Sequence, residues 1–176
     1  GQRYAQWDVL GPPGSKTVSS CGIGVEATAP LGLPGSHDYL FVIGGLLRDL
    51  DTAPGPYRAH LRAVFETGGP VIGVCTGSFV LAAEGLLDGR PACVHPYHQR
   101  DFKAAFPRHR VVTTQDFVVA GSVTTVLGGV SILSLMTELI GAHLGPDRSA
   151  KTVHQMTLPS QDKSLPTGLT PLSRRL

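Results

Sequence analysis

The chain has 176 residues, of which 41% are hydrophobic and 16% charged, and its formal net charge is +2. That length and apolar content suit one globular domain burying about two-thirds of its unfolded surface, without disulfide or metal staples. So slight a basic excess, with its one basic cluster at Arg174-Arg175, argues against direct nucleic-acid binding by these residues, and no apolar run reaches the roughly 20 residues of a membrane span.

Tyr4 to Leu10 reads as a strand that runs into the turn Gly11-Pro12-Pro13-Gly14. Val18 to Cys21 and Gly24 to Thr28 read as short strands or a hairpin. Tyr39-Leu40-Phe41-Val42-Ile43 is apolar throughout, the pattern of a central parallel strand covered on both faces, and it ends in Gly44-Gly45. Pro56 to Glu66 carries Leu61, Val64 and Phe65 at helical spacing, with Pro in the first turn and Gly68-Gly69 as a stop. Val71 to Val74 is a second buried strand, and Thr76 to Leu87 a helix ended by Asp88-Gly89.

Ala92-Cys93-Val94 is a short strand, and Gln99 to Phe106 a short helix closed by Pro107. Strands follow over Arg110 to Thr114, Asp116 to Ala120 and Ser122 to Val126, the last two joined by a turn at Gly121. After Gly128-Gly129 come a long apolar helix over Val130 to Leu144 and a shorter one over Asp147 to Thr157. Strands alternating with helices predict an α/β fold, a parallel sheet with helices on both faces. Residues 1–159 make one domain, and the polar, Pro-rich stretch 160–176 reads as a linker. The opening Gly1-Gln2-Arg3-Tyr4, with neither signal peptide nor initiator Met, reads as the start of a chain with something in front of it.

Gly73-Val74-Cys75-Thr76-Gly77 is a G-x-C-x-G at a strand-to-helix junction. A nucleophile on such a turn is forced into a sharp, strained conformation, and flanking glycines let the backbone close without Cβ clashes. The thiol then stands above the carboxyl end of the sheet, where a helix N-terminus favours negative charge. Bare N–H groups at Gly44 and Gly45, with that of Thr76, suit an oxyanion or a ligand carboxylate. A cysteine in an apolar strand ordinarily packs as a small hydrophobe, and Cys21 and Cys93 are read so. The three cysteines form no C-x-x-C and lie at no metal-ligand spacing from a histidine, so no metal site is expected and no cofactor is called for. Their odd number, without a secretion signal, points to the cytoplasm.

His95 ends a short strand whose neighbours converge on one crevice, either as the partner of Cys75 or as a filler of the pocket wall. His98 is ambiguous, and His37, His60, His109, His143 and His154 read as solvated. Glu84, Asp88 and Asp101 have no evident aim at Cys75, so no third catalytic member is found.

Tyr39 to Gly45, Gly73 to Ser78, Leu81 to Gly89 and Val94-His95 together resemble the PfpI superfamily, the class I glutamine amidotransferase-like fold. The pattern V-C-T-G-x-x-x-L-A-x-x-G-L-L-x-G-x-x-A-x-x-H narrows the resemblance to the sensing domains of AraC-type, GlxA-like transcriptional regulators and the isonitrile hydratases. Phe102 to Pro107 and Lys151 to Met156 resemble segments of the regulators, and Gly128-Gly129 before a long helix is shared by both groups. The resemblance runs from about Trp7 to Leu158.

It implies a first strand and helix that no segment before Trp7 supplies, and with them the acidic residue that assists the nucleophile in the enzymes. Both groups usually carry Trp where this chain has Pro96, and many members carry Asp where Ser134 stands. The implied function is effector sensing and dimerisation in an AraC-family regulator. Its small-molecule effector, an amine or amino acid, would sit among Gly44, Gly45, Cys75, Thr76, Gly77, His95, Pro96 and Gly128. DNA would be contacted by a helix-turn-helix domain after Leu176. The alternatives are a Cys75- and His95-dependent isonitrile hydratase or hydrolase, and a degenerate scaffold used only for dimerisation.

Overall fold

The computed structural model describes residues 5–52 and 54–156; the linker expected over 160–176 lies outside them. The chain divides into two compact units, one up to Met136 and one from Thr137.

In the first unit the main sheet has four strands, β3 (Leu40–Ile43), β4 (Val71–Val74), β7 (Phe117–Ala120) and β8 (Val123–Val126), in the order β3-β4-β8-β7. The pairs β3–β4 and β4–β8 are parallel, with Val42 opposite Gly73 and Val74 opposite Val126, and only β7 runs antiparallel. With α1 (Gly55–Glu66), α2 (Gly77–Ala83) and α3 (Gln99–Ala105), this is an α/β fold. α1 turns Leu61 and Val64 inward, and α2 buries Phe79, Leu81 and Ala82. Phe79 and Phe102 meet edge to face at 5.0 Å between ring centroids, the arrangement aromatic quadrupoles prefer.

Several expectations change. The run 39–43 is an edge strand of this sheet, half-buried with Ile43 exposed, and not a central one, because no described strand pairs with its outer side. The strand expected over Tyr4 to Leu10 does not form over its described residues; Leu10 makes a single parallel bridge to Ala29. Pro12-Pro13 and Pro30 lack the N–H groups that would carry this bridge on beyond Leu10 and Ala29. The hairpin is present as β1 (Lys16–Val18) and β2 (Gly24–Glu26), antiparallel and exposed. Cys21, at its turn, is exposed and not a buried hydrophobe.

α2 stops at Ala83, four residues before the expected end. Gly85 at φ 76° lets its own N–H reach the Ala82 carbonyl and the Leu86 N–H reach that of Leu81. This is a glycine-terminated helix end whose following leucine is buried. Glu84 at that end has its carboxylate almost wholly buried and is held by Arg58 and Arg62 of α1.

β5 (Ala92–Cys93) pairs in parallel with β6 (Val111–Val112) as a separate two-stranded sheet. It reaches the main sheet through a side chain, the Cys93 N–H donating to Thr125 Oγ1 at 2.7 Å. α4 (Ile132–Leu144) begins in the first unit. In the second, its later turns and α5 (Pro146–Met156) are joined at Gly145, φ 87°, and Ser149 Oγ donates to the Thr137 carbonyl at 2.7 Å.

Candidate functional site

β4 delivers the chain to Cys75, the only non-glycine residue at positive φ among those described, at 55°. An L-residue is held there only when its surroundings over-determine it. The neighbouring glycines are required by close approach. A Cβ on Gly73 would stand 2.7 Å from Leu81 Cδ1, one on Gly77 would collide with the Val42 carbonyl, and one on Gly44 with Thr76. Gly128 needs both freedoms, since its φ is 99° and a Cβ there would lie 2.5 Å from Cys75 Cβ and 3.0 Å from the sulfur. Gly128 thus lies against the half-buried thiol itself, while Gly44, Gly73 and Gly77 let β3, β4 and α2 close on the turn that carries it.

Hydrogen bonds lock the turn. The Cys75 N–H donates to the Val126 carbonyl at 3.0 Å, Ser78 Oγ to the Cys75 carbonyl at 2.9 Å, and Thr76 Oγ1 to the Gly45 carbonyl at 2.8 Å. The Gly44 N–H is not the bare donor expected, because it is turned to the Val74 carbonyl at 3.3 Å to extend the β3–β4 pairing. The Gly45 and Thr76 N–H groups have no hydrogen-bond partner among the described residues.

His95 is exposed and heads the tight turn Pro96–His98, where its Nδ1 accepts the Tyr97 N–H at 3.2 Å. No hydrogen bond joins it to Cys75 among the described residues, and its ring lies 6.2 Å from that of His98. Pro96 is exposed beside it. The carboxylates go elsewhere: Glu84 to two arginines, Asp88 to His109 at 3.5 Å, and Asp101 to within 3.8 Å of His98 Nδ1. His109 is not solvated as expected. Its side chain is 11% exposed and packs edge-on against Phe102 and Phe106.

The other two thiols differ sharply. Burial pushes the Cys93 thiol up to about 11, and its Sγ donates to the Gln115 carbonyl at 3.1 Å. The exposed Cys21 thiol is held below its ordinary value by the Ser19 hydroxyl.

Two features lie hidden in the linear sequence. Asp116 accepts the hydroxyls of Ser131 at 2.7 Å and Ser134 at 2.6 Å, beside the Gly128 turn. The second is only partly hidden: folding brings Arg90 and Asp88 to the contiguous Arg108-His109-Arg110 around a cleft of about 680 Å³.

The fold and site define an α/β domain with a cysteine at positive φ on a strand-to-helix turn. The family model described as "DJ-1/PfpI family" matches residues 4–142, and the chain belongs to that family. It is 33% identical over 161 residues to the HTH-type transcriptional regulator CdhR of Pseudomonas aeruginosa, covering 89% of this chain and 47% of that one. It is 36% identical to the HTH-type transcriptional regulator GlxA of Rhizobium meliloti over 78% of this chain and 42% of that one. The chain thus spans less than half the length of these relatives. Among solved structures, an AraC family transcriptional regulator from Pseudomonas putida superposes with a TM-score of 0.68 at 20% identity, over 86% of this chain and 81% of the other. A ThiJ/PfpI family protein from Pseudomonas syringae reaches 0.70 at 21% identity, over 90% and 66%.

Proposed function

We propose that the chain is the effector-sensing and dimerisation domain of an AraC-family transcriptional regulator, working in the cytoplasm with a small metabolite bound at the Cys75 elbow. One observation carries the reading: curated helix-turn-helix regulators match most of this chain, while it spans only 47% and 42% of the two described above. DNA contact then belongs to a part of the regulator outside these residues. The ligand is an amino acid or small amine. A carboxylate meets the Gly45 and Thr76 N–H groups, Gly44, Gly77 and Gly128 bring bare backbone close to it, and His95 and Pro96 stand at the wall.

The test is a thermal melt against a panel of amino acids and small amines. A ligand at 100 times its Kd adds about 2.7 kcal/mol of stability, and the carboxamide analogue of a binding amino acid shifts the melt less. A panel that leaves the melting temperature unmoved overturns the ligand class.

A second reading, a Cys75-dependent isonitrile hydratase or related hydrolase, draws on the strained, half-buried thiol. There Cys75 attacks an electrophilic carbon and His95 assists after leaving the Tyr97 N–H. Isonitrile turnover that vanishes in Cys75→Ala establishes this reading, and an inert wild type, tested with the N-terminal strand the family implies in place, removes it.

A further inference from the structure

The wall over the Cys75 sulfur is Gly128, and what holds Gly128 in place is not obvious from the elbow itself. Gly128 and Gly129 both stand at positive φ, so the turn after β8 has no side chain of its own to stiffen it. One backbone bond crosses it, from the Ser131 N–H to the Gly128 carbonyl at 3.2 Å. The firmer anchorage comes from the loop before β7. The Asp116 carboxylate accepts Ser131 Oγ on one oxygen at 2.7 Å and Ser134 Oγ on the other at 2.6 Å. Hydroxyl-to-carboxylate bonds of this length are charge-assisted.

That loop is itself fixed from two further directions. The Asp116 carbonyl accepts the Leu127 N–H at 2.9 Å, next to Gly128, and the Gln115 carbonyl accepts the Cys93 thiol from the interior at 3.1 Å. The result is a closed circuit: the loop is pinned to β5 and to the end of β8, and its carboxylate pins the start of α4. The only segment between those pins is Gly128–Val130.

We infer that Asp116 is a positioning residue for the elbow, its carboxylate latching Ser131 and Ser134 so that the Gly128 turn stays seated over the Cys75 thiol. The inference rests on the elbow geometry and not on the effector reading, so the test measures access to the thiol and needs no ligand. With the latch open, the turn lifts and the sulfur meets solvent more often.

The experiment is timed alkylation by iodoacetamide of the folded chain, with each cysteine followed separately by peptide mass spectrometry. Exposed Cys21 serves as the reference and buried Cys93 as the reporter of unfolding. Asp116→Ala raises the Cys75 rate relative to Cys21 by roughly threefold to tenfold, the effect of losing charge-assisted bonds at an open site. Asp116→Asn, which keeps one oxygen acceptor, falls between Ala and the wild type. Ser134→Ala raises the rate in the wild-type background and has no effect once Asp116→Ala is in place, the non-additivity of two partners in one bond. An unchanged or lowered Cys75-to-Cys21 ratio in Asp116→Ala overturns the inference, as does an equal effect of Ser134→Ala in both backgrounds. If Asp116→Ala exposes Cys93, Ser131→Ala and Ser134→Ala decide alone, and an unmoved ratio in both overturns it.

Discussion

Cys75 sits at φ 55°, where its Cβ crowds its own backbone, and it is held there by its N–H bond to Val126 and by Ser78 on its carbonyl. Positive φ costs an L-residue of order 1 kcal/mol that glycine does not incur. Cys75→Gly is therefore expected to be more stable than Cys75→Ala by about 1 kcal/mol, in urea melts of the two variants. Equal midpoints would show that the turn relaxes once the thiol is gone. Exposure and environment also rank the three thiols. Cys21, open to solvent with its thiolate favoured by Ser19, alkylates first; half-buried Cys75 follows; Cys93, buried and raised to about 11, comes last. Mass spectrometry at short times checks that order, and early labelling of Cys93 contradicts it.

At the scale of elements, two carboxylates tie segments together. Glu84 joins the end of α2 to α1 through Arg58 and Arg62, with its own side chain 1% exposed and the arginines 40% and 50% exposed. Removing one member of a fully buried pair costs about 3–5 kcal/mol, and the solvent around these arginines reduces that to about 1–2 kcal/mol for Glu84→Gln. A guanidinium chloride melt checks it, and a change under a few tenths would mean that water replaces the carboxylate freely. Asp116 gives a pH signature. The Ser134 and Ser131 hydroxyls hold its carboxyl below its ordinary value. A group depressed on folding adds stability that is present above about pH 4 and fades as the pH falls through the lower folded value. Below pH 4 the melting temperature of the wild type should therefore fall more steeply than that of Asp116→Asn. Parallel curves would sink this expectation.

For the molecule as a whole, the parallel order β3-β4-β8 brings the carboxyl ends of three strands to one edge. There the residues after each strand, Gly44, Cys75 and Gly128, converge although they lie far apart in the chain. Ligands of open α/β sheets bind outside such carboxyl ends, which is why the proposed effector site is the elbow and not the arginine-lined cleft near Asp88. That cleft still collects Arg90, Arg108 and Arg110, so the weak net charge of +2 conceals a local basic surface.

The sequence alone left the hairpin open beside separate short strands, and determined the alternation of strands and helices and the turn at Cys75. These depend on short-range chemistry, namely apolar runs, glycine stops and a G-x-C-x-G spacing that only a tight strand-to-helix turn satisfies. It likewise carried the family, through motifs spread over most of the chain. Tertiary structure decided what depends on which strands meet. An apolar run such as 39–43 has the same composition at an edge as at the centre, so its place in the sheet was not legible. Whether the Gly44 N–H was spent depended on its pairing with β4, and the Tyr97 N–H taken up by His95 Nδ1 depended on the local turn. The Asp116 latch and the arginine cluster join residues from separate loops, and no periodicity records such a meeting.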